Sequence, residues 1–213
     1  MRTITVLSFV MWGCTGCALM SKAESLDVRY FAPEVPEPPR EVRVQPAAAD
    51  GQALAVRVGR MSASAHLRKY LVYRSTPVEL RMDMSRWWAE APEDYLQRAI
   101  VDALFVEHPV QQALSASVPT LDCELLAFEQ VTDKKQQKAR VSVRFALHDQ
   151  VRVLAAGTLT VDRALHEADD PEELAKALGG ALEEATDQVA TRVVERLKQL
   201  PPEEPAVSAA VAP

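Results

Sequence analysis

Apolar residues recur along this chain with two different periods, and the switches between them mark out its elements. Leu26 to Phe31 is a short extended run ahead of a group of prolines. Leu54-Ala55-Val56-Arg57-Val58 alternates apolar and polar as a half-buried strand does, because successive side chains on a strand point to opposite faces. Tyr70 to Tyr73 and Val78 to Met84 form two more extended runs, separated at Ser75-Thr76-Pro77, where Pro77 predicts a turn and not an unbroken central strand. The period then becomes helical. Pro92 suits a first helical position, Glu93 and Asp94 favour the positive end of the helix dipole, and Leu96, Ala99, Ile100, Ala103 and Leu104 line one face. This helix is expected to end near Glu107, ahead of Pro109.

Three strands are predicted next, over Leu121 to Val131, Ala139 to Leu147 and Val151 to Val161, joined by polar connectors short enough for hairpins. Val141, Val143, Phe145 and Leu147 alternate with Ser142, Arg144 and Ala146, which gives a meander with one apolar face. In Leu121-Asp122-Cys123-Glu124-Leu125 the cysteine alternates with carboxylates, so a buried core thiol is expected. The last element is the most clearly marked. Asp170-Pro171-Glu172-Glu173 reads as N-cap, proline and an N3 carboxylate in the manner of a capping box. Leu174, Leu178, Ala181, Leu182, Ala185, Val189, Val193 and Leu197 follow on one face. Gly179-Gly180 weakens it by about 1 kcal/mol per glycine relative to alanine, so either one helix approaches a sheet closely there or the segment breaks in two. The order strands, helix, strands, helix predicts a two-layer α+β fold, an antiparallel sheet covered on one face by two helices.

The ends of the chain carry a different signal. Arg2 precedes a nearly charge-free apolar run, Thr3 to Trp12, which has the length of a signal-peptide core and falls short of the roughly 20 residues of a spanning helix. It leads into Cys14-Thr15-Gly16-Cys17, which resembles a bacterial lipobox, with slim Thr15 and Gly16 beside the cut. Cleavage before Cys17 is favoured over the competing site before Cys14, where Trp12 is bulky. A cysteine thiol can take a diacylglyceryl group, and two or more acyl chains anchor stably where one holds only marginally. Ala18, rather than Asp, follows Cys17, so the outer membrane is the expected destination. The predicted organisation is a signal peptide over residues 1–16, an acylated N-terminus with first strand and Pro-rich linker over 17–50, an α+β domain over 51–200 and a tail over 201–213. At about 3 Å per residue, an extended 18–50 segment spans on the order of 100 Å, less if Leu26 to Phe31 joins the sheet.

Charge and composition narrow the function classes. From residue 17 onward there are 23 Lys and Arg (24 less Arg2) against 30 Asp and Glu, a net charge of −7. That disfavours a nucleic-acid partner and supplies no polybasic membrane patch. His66, His108, His148 and His166 are far apart in sequence and show no metal-binding spacing, so they read as solvated side chains. No nucleophile elbow or phosphate-cradling glycine loop is present, so neither an enzyme nor a cofactor is expected. The cluster that invites a functional reading is Arg86-Trp87-Trp88-Ala89-Glu90-Ala91-Pro92. Trp87 and Trp88 are candidate partner-binding residues, since aromatics are enriched at interfaces. In the competing reading one Trp packs between sheet and helix while the other, pointing the opposite way, is exposed.

Val56-Arg57-Val58-Gly59, Tyr70-Leu71-Val72-Tyr73-Arg74, Arg86-Trp87-Trp88-Ala89-Glu90-Ala91-Pro92 and Arg98-Ala99-Ile100-Val101 together resemble the ABC-type transport auxiliary lipoprotein family, over roughly Leu26 to Leu200. The resemblance implies an outer-membrane-anchored periplasmic accessory of an MCE-type ABC system that moves phospholipid or related lipids. The implied partners are an MCE-domain protein and its ABC permease, with no catalytic residues. A structural or assembly lipoprotein, serving lipopolysaccharide assembly or a cell-wall synthase, is the alternative from another class.

Overall fold

The computed structural model describes residues 27–33, 54–108, 110–115, 117–133, 136–167 and 169–200. The expected signal peptide, Cys14, Cys17, most of the Pro-rich linker and the C-terminal tail lie outside them. In chain order the elements are β1 (Arg29–Phe31), β2 (Leu54–Ala63), β3 (Tyr70–Thr76), β4 (Glu79–Trp88), α1 (Pro92–Asp102), β5 (Val110–Gln112), β6 (Thr120–Asp133), β7 (Gln136–His148), β8 (Val153–Ala164) and α2 (Pro171–Lys198). A five-residue π turn, Ala103–Glu107, prolongs α1 to the position where Pro109 was expected to stop it.

The sheet corrects the antiparallel expectation: it is mixed. β6 to β7, β7 to β8 and β3 to β4 are antiparallel hairpins, but β2 and β3 both run parallel to β6, β5 parallel to β2, and β1 parallel to β4. Alternation of apolar and polar residues is the same for either direction of pairing, so periodicity carries no information on it. β2 and β3 lie end to end along one edge of β6. Ala63 pairs with Leu125 and Tyr73 with Gln130, so the β2–β3 edge uses ten residues (73 − 63) where β6 uses five (130 − 125). The surplus forms an excursion over residues 64–69. β6 has its own irregularity there: two residues advance from Leu125 to Ala127 while β7 advances one. Such a bulge reverses which residues face the core. Before it Leu121, Cys123 and Leu125 are buried in the main cluster; after it Phe128 is.

The core joins the inward residues of β7, namely Ala139, Val141, Val143, Phe145 and Leu147, to one face of α2 from Leu174 to Leu197, with Leu96, Ile100 and Leu104 alongside. α2 is one continuous helix through Gly179-Gly180. A Cβ at Gly180 would press on the Arg163 guanidinium, which is the close approach to the sheet that the glycine pair implied. The start of α2 departs from a simple capping box. Asp170 accepts from the Glu172 backbone N–H at 2.9 Å, but Glu173 reaches past the cap to the N–H groups of His166 (2.8 Å) and Glu167 (2.6 Å), tying down the preceding loop.

Those two backbone donors hold the Glu173 carboxyl below its ordinary 4.5. The backbone N–H groups of Val151 and Arg152 do the same for Asp149, and the Arg140 side chain for Asp162, both below 3.8. A depressed folded-state value means a contribution fully present above the ordinary value and lost as pH falls through the folded one. Thermal stability is therefore expected to be flat from neutral pH down to about 5 and to fall below about 4. A Tm series across that range measures it, with Glu173→Gln flattening part of the acid limb.

Candidate functional site

The split edge of β6 creates the site. The last residues of β4 come level with the excursion: Trp88 donates its backbone N–H to the Lys69 carbonyl (2.6 Å), and Ala89 donates to Phe31 (2.8 Å). Register then sorts the aromatic side chains into two rows. Phe31 pairs with Trp88, and both are buried; Trp88 is 2% exposed and packs against Phe128 (4.9 Å between centroids) and Tyr95 of α1 (6.4 Å). Tyr30 and Tyr70 both pair with Trp87, on the other face. Their rings meet Trp87 edge-on at 5.9 and 5.3 Å, and the Lys69 ammonium sits 4.7 Å over the indole. The Trp87 indole N–H is satisfied by the Met84 carbonyl at 2.9 Å.

Trp88 is thus the packing tryptophan between sheet and helix, and its side chain is not a surface contact. Trp87 is half-buried and belongs to the row Tyr30–Trp87–Tyr70, of which Tyr30 is 63% exposed. Tyr30 and Trp87 of this row line a cleft of about 540 Å³ walled by the excursion on one side and by the start of α1 on the other. Arg68 and Lys69 stand on the first wall, Glu90 and Glu93 on the second. Glu90 is paired with Arg98 at 2.5 Å, and its backbone N–H donates to the Tyr95 hydroxyl at 3.1 Å. Burial raises the Tyr95 phenol above its ordinary value, so it stays neutral. An apolar aromatic floor between walls of opposite charge suits an extended or amphipathic contact. Sequence reading marked Trp87 but missed Tyr30, Tyr70 and Lys69, because only the parallel β1–β4 register brings Tyr30 beside it.

The excursion also covers a buried ion pair. Glu129 is 1% exposed and is held by Arg74 through Nε (2.5 Å) and Nη2 (3.2 Å), with His66 Nε2 at 3.8 Å. Glu129 stands opposite Arg140, which is bidentate to Asp162 at 2.7 Å for both bonds. Charges therefore alternate across four strands, from Arg74 through Glu129 and Arg140 to Asp162. The solvated-histidine expectation is corrected here: His66, His108 and His148 are partly buried and each lies beside a carboxylate, Glu129, Asp187 and Asp122 respectively. Among the described residues no three of His, Cys, Asp and Glu converge as metal ligands would.

Cys123 lies in the core, and burial pushes its thiol up to about 12. At neutral pH it is protonated and shielded, so thiol reagents are expected to leave it unmodified in the native protein. Titration with a chromogenic disulfide reagent checks this: rapid labelling before denaturant is added would contradict the packing described.

The fold defines the class: a mixed-sheet α+β domain, shared with the crystal structure of protein XCC0632 from Xanthomonas campestris. That match has a TM-score of 0.67 at 23% identity and covers 80% of this chain and 98% of that one. A second crystal structure, of an uncharacterized protein, matches with a TM-score of 0.59 at 15% identity over 77% of this chain and 97% of the other. Among curated proteins none matches. The family comes from the sequence itself: the model of the ABC-type transport auxiliary lipoprotein component matches residues 37–190, more than half of the chain. The chain belongs to the ABC-type transport auxiliary lipoprotein family.

Proposed function

We propose that this protein is the outer-membrane-anchored periplasmic accessory subunit of an MCE-type ABC system for phospholipid or related lipids. It is acylated on Cys17 and docks its MCE-domain partner through the cleft at Trp87. The observation that carries the reading is the family match over residues 37–190; the lipobox at Cys17 and Ala18 behind it supports the anchor. The cleft supports the docking role, because an aromatic row rimmed by charge has the composition of a contact surface.

Joining β1 to the sheet shortens the tether. Tyr30 is 13 residues from Cys17 (30 − 17), so an anchored chain keeps the cleft within about 45 Å of the membrane, at about 3.5 Å per residue. The linker over residues 34–53 then connects two strands of one sheet and does not set the reach.

Affinity capture of the co-expressed MCE-domain protein tests this reading. Retention by the wild type, weakened by Trp87→Ala and by Lys69→Glu, is the expected outcome; no retention by the wild type overturns it. Mass spectrometry of the mature N-terminus is expected to show an acylated start at Cys17, and a start at Cys14 would move the anchor.

A further inference from the structure

The β3–β4 hairpin carries apolar side chains that the domain leaves uncovered. Val78 is 94% exposed at the Pro77-Val78 turn, and Met84 and Met82 are 55% and 42% exposed on the strand behind it. Among the described residues β1 pairs with β4 only from Arg86 to Trp88, so the edge of β4 from Glu79 to Ser85 carries no strand. Nor is that edge shaped to take one. Between the Val72–Met82 and Tyr70–Trp87 pairs β4 advances five residues (87 − 82) while β3 advances two (72 − 70). The surplus forms a bulge in which the Asp83 carboxylate accepts from the Ser85 backbone N–H (2.9 Å) and hydroxyl (2.7 Å). A bulge blunts an edge against strand addition, so this edge offers its side chains and not its backbone. The turn itself is braced, since the Arg74 guanidinium donates to the Pro77 carbonyl at 3.3 Å.

The direction of the chain selects the occupant. β1 is parallel to β4, so the residues ahead of Arg29 head along β4 toward the Pro77-Val78 turn. Cys17 lies twelve residues back (29 − 17), a reach of about 40 Å when extended. The turn is about 20 Å from the level of Arg29: Tyr70 is beside Trp87, and β3 runs six residues from there to Thr76 (76 − 70) at about 3.3 Å each. An acyl anchor on Cys17 therefore brings the turn to the bilayer that holds the anchor. The exposed charges next to the turn, Glu79 and Arg81, cancel, which leaves an apolar contact. Val78, Met82 and Met84 fit that surface, because clustered exposed apolar groups mark an interaction site and Met adapts to a disordered neighbour. Tethering makes the contact intramolecular, so three side chains suffice where they would not hold a free protein.

We propose that the β3–β4 turn is a second membrane contact, with Val78, Met82 and Met84 entering the head-group region of a phospholipid bilayer beside the acyl chains. The contact orients the domain, standing β3 and β4 up from the surface and holding the Trp87 cleft about 20 Å above it. This inference rests on the acylation of Cys17 in the reading above.

The test uses the acylated full chain in vesicles of phosphatidylethanolamine and phosphatidylglycerol, with an environment-sensitive fluorophore on Val78→Cys or on Val151→Cys. Cys123 is buried and does not compete for the label. Val151 is the control: it is 92% exposed, but at the opposite end of the sheet. β3 is parallel to β6 with Tyr73 beside Gln130, so the β3–β4 turn lies at the Asp133 end of β6, whereas His148, just ahead of Val151, pairs with Thr120 at the other end. The Val78 probe is expected to shift to the blue and to be quenched by spin-labelled lipid, and the Val151 probe to do neither. Adding Met84→Asp to the Val78→Cys chain is expected to reduce the quenching with an unchanged Tm. Mass spectrometry of the same samples separates the two readings. A chain without acyl groups on Cys17 overturns both, whereas an acylated chain whose Val78 probe emits as in water overturns the hairpin contact alone. Equal quenching at Val78 and Val151, or a blue shift at Val78 that appears only when a protein partner is added, also overturns it.

Discussion

Replacing Arg74 by alanine is expected to cost about 3–5 kcal/mol of folding stability, the largest effect of any single polar substitution in this domain. The cost comes from Glu129, not from the lost arginine packing. Glu129 is 1% exposed beneath the excursion, and both of its carboxylate oxygens are bound by the Arg74 guanidinium. Removing that group strands a charge where water cannot reach it. His66 Nε2, at 3.8 Å, is beyond hydrogen-bonding distance and does not replace it. A net stability of about 5–15 kcal/mol, typical of folded domains, would lose a fifth or more. The physical cause can be separated from simple damage by a double variant. Arg74→Met with Glu129→Leu removes both charges, fills similar volume and is expected to recover most of the loss, since a buried pair exchanged for apolar side chains is often neutral. Urea denaturation of the three proteins decides the matter: a double variant as unstable as Arg74→Ala would show that the charge itself is not what matters.

Trp88→Ala is expected to cost a comparable 3–5 kcal/mol, by a different route. The Trp88 ring touches Phe128 of β6 and Tyr95 of α1, so it joins the split edge of the sheet to the first helix, and its removal opens a cavity that neither element can close alone. At about 2–4 °C per kcal/mol for a chain of this size, Tm should fall by roughly 10 °C. Trp87→Ala makes the internal control. The two residues are adjacent and chemically identical, yet Trp87 leans on the surface row of Tyr30 and Tyr70, and its loss is expected to cost about 1–2 kcal/mol. If the docking role is right, the phenotypes cross over: Trp88→Ala lowers Tm strongly and leaves partner capture intact in the folded fraction, whereas Trp87→Ala lowers capture and lowers Tm by only a few degrees. Equal destabilisation by both would contradict the assignment of faces.

The proposed docking role uses the β1 edge of the sheet. The β1 edge carries aromatic rings, charge and a cleft, features that hold a specific partner. With the proposed acylation on Cys17, a cleft 13 residues away at Tyr30 would keep the proposed docking close to the membrane.

Much of this architecture is legible in the chain because it rests on local chemistry. The alternation from Val141 to Leu147 marks the buried face of β7, Asp170-Pro171 marks the start of α2, and the apolar stripe from Leu174 to Leu197 marks the face it buries. Cys123 among carboxylates reads correctly as an inward residue, because a period of two leaves it no other place. Opposite orientations for Trp87 and Trp88 follow from the same period. What only the tertiary structure decided is which strands meet and in what direction. Parallel pairing of β2 and β3 with β6 joins residues far apart in sequence, and no local pattern distinguishes it from a hairpin. The excursion over residues 64–69, the burial of Glu129 beneath it and the arrival of Tyr30 beside Trp87 all follow from that pairing. So does the position of β8, which among the described residues pairs only with β7: a strand's sequence shows that it can pair on both sides, and only the assembled sheet shows which neighbours it has.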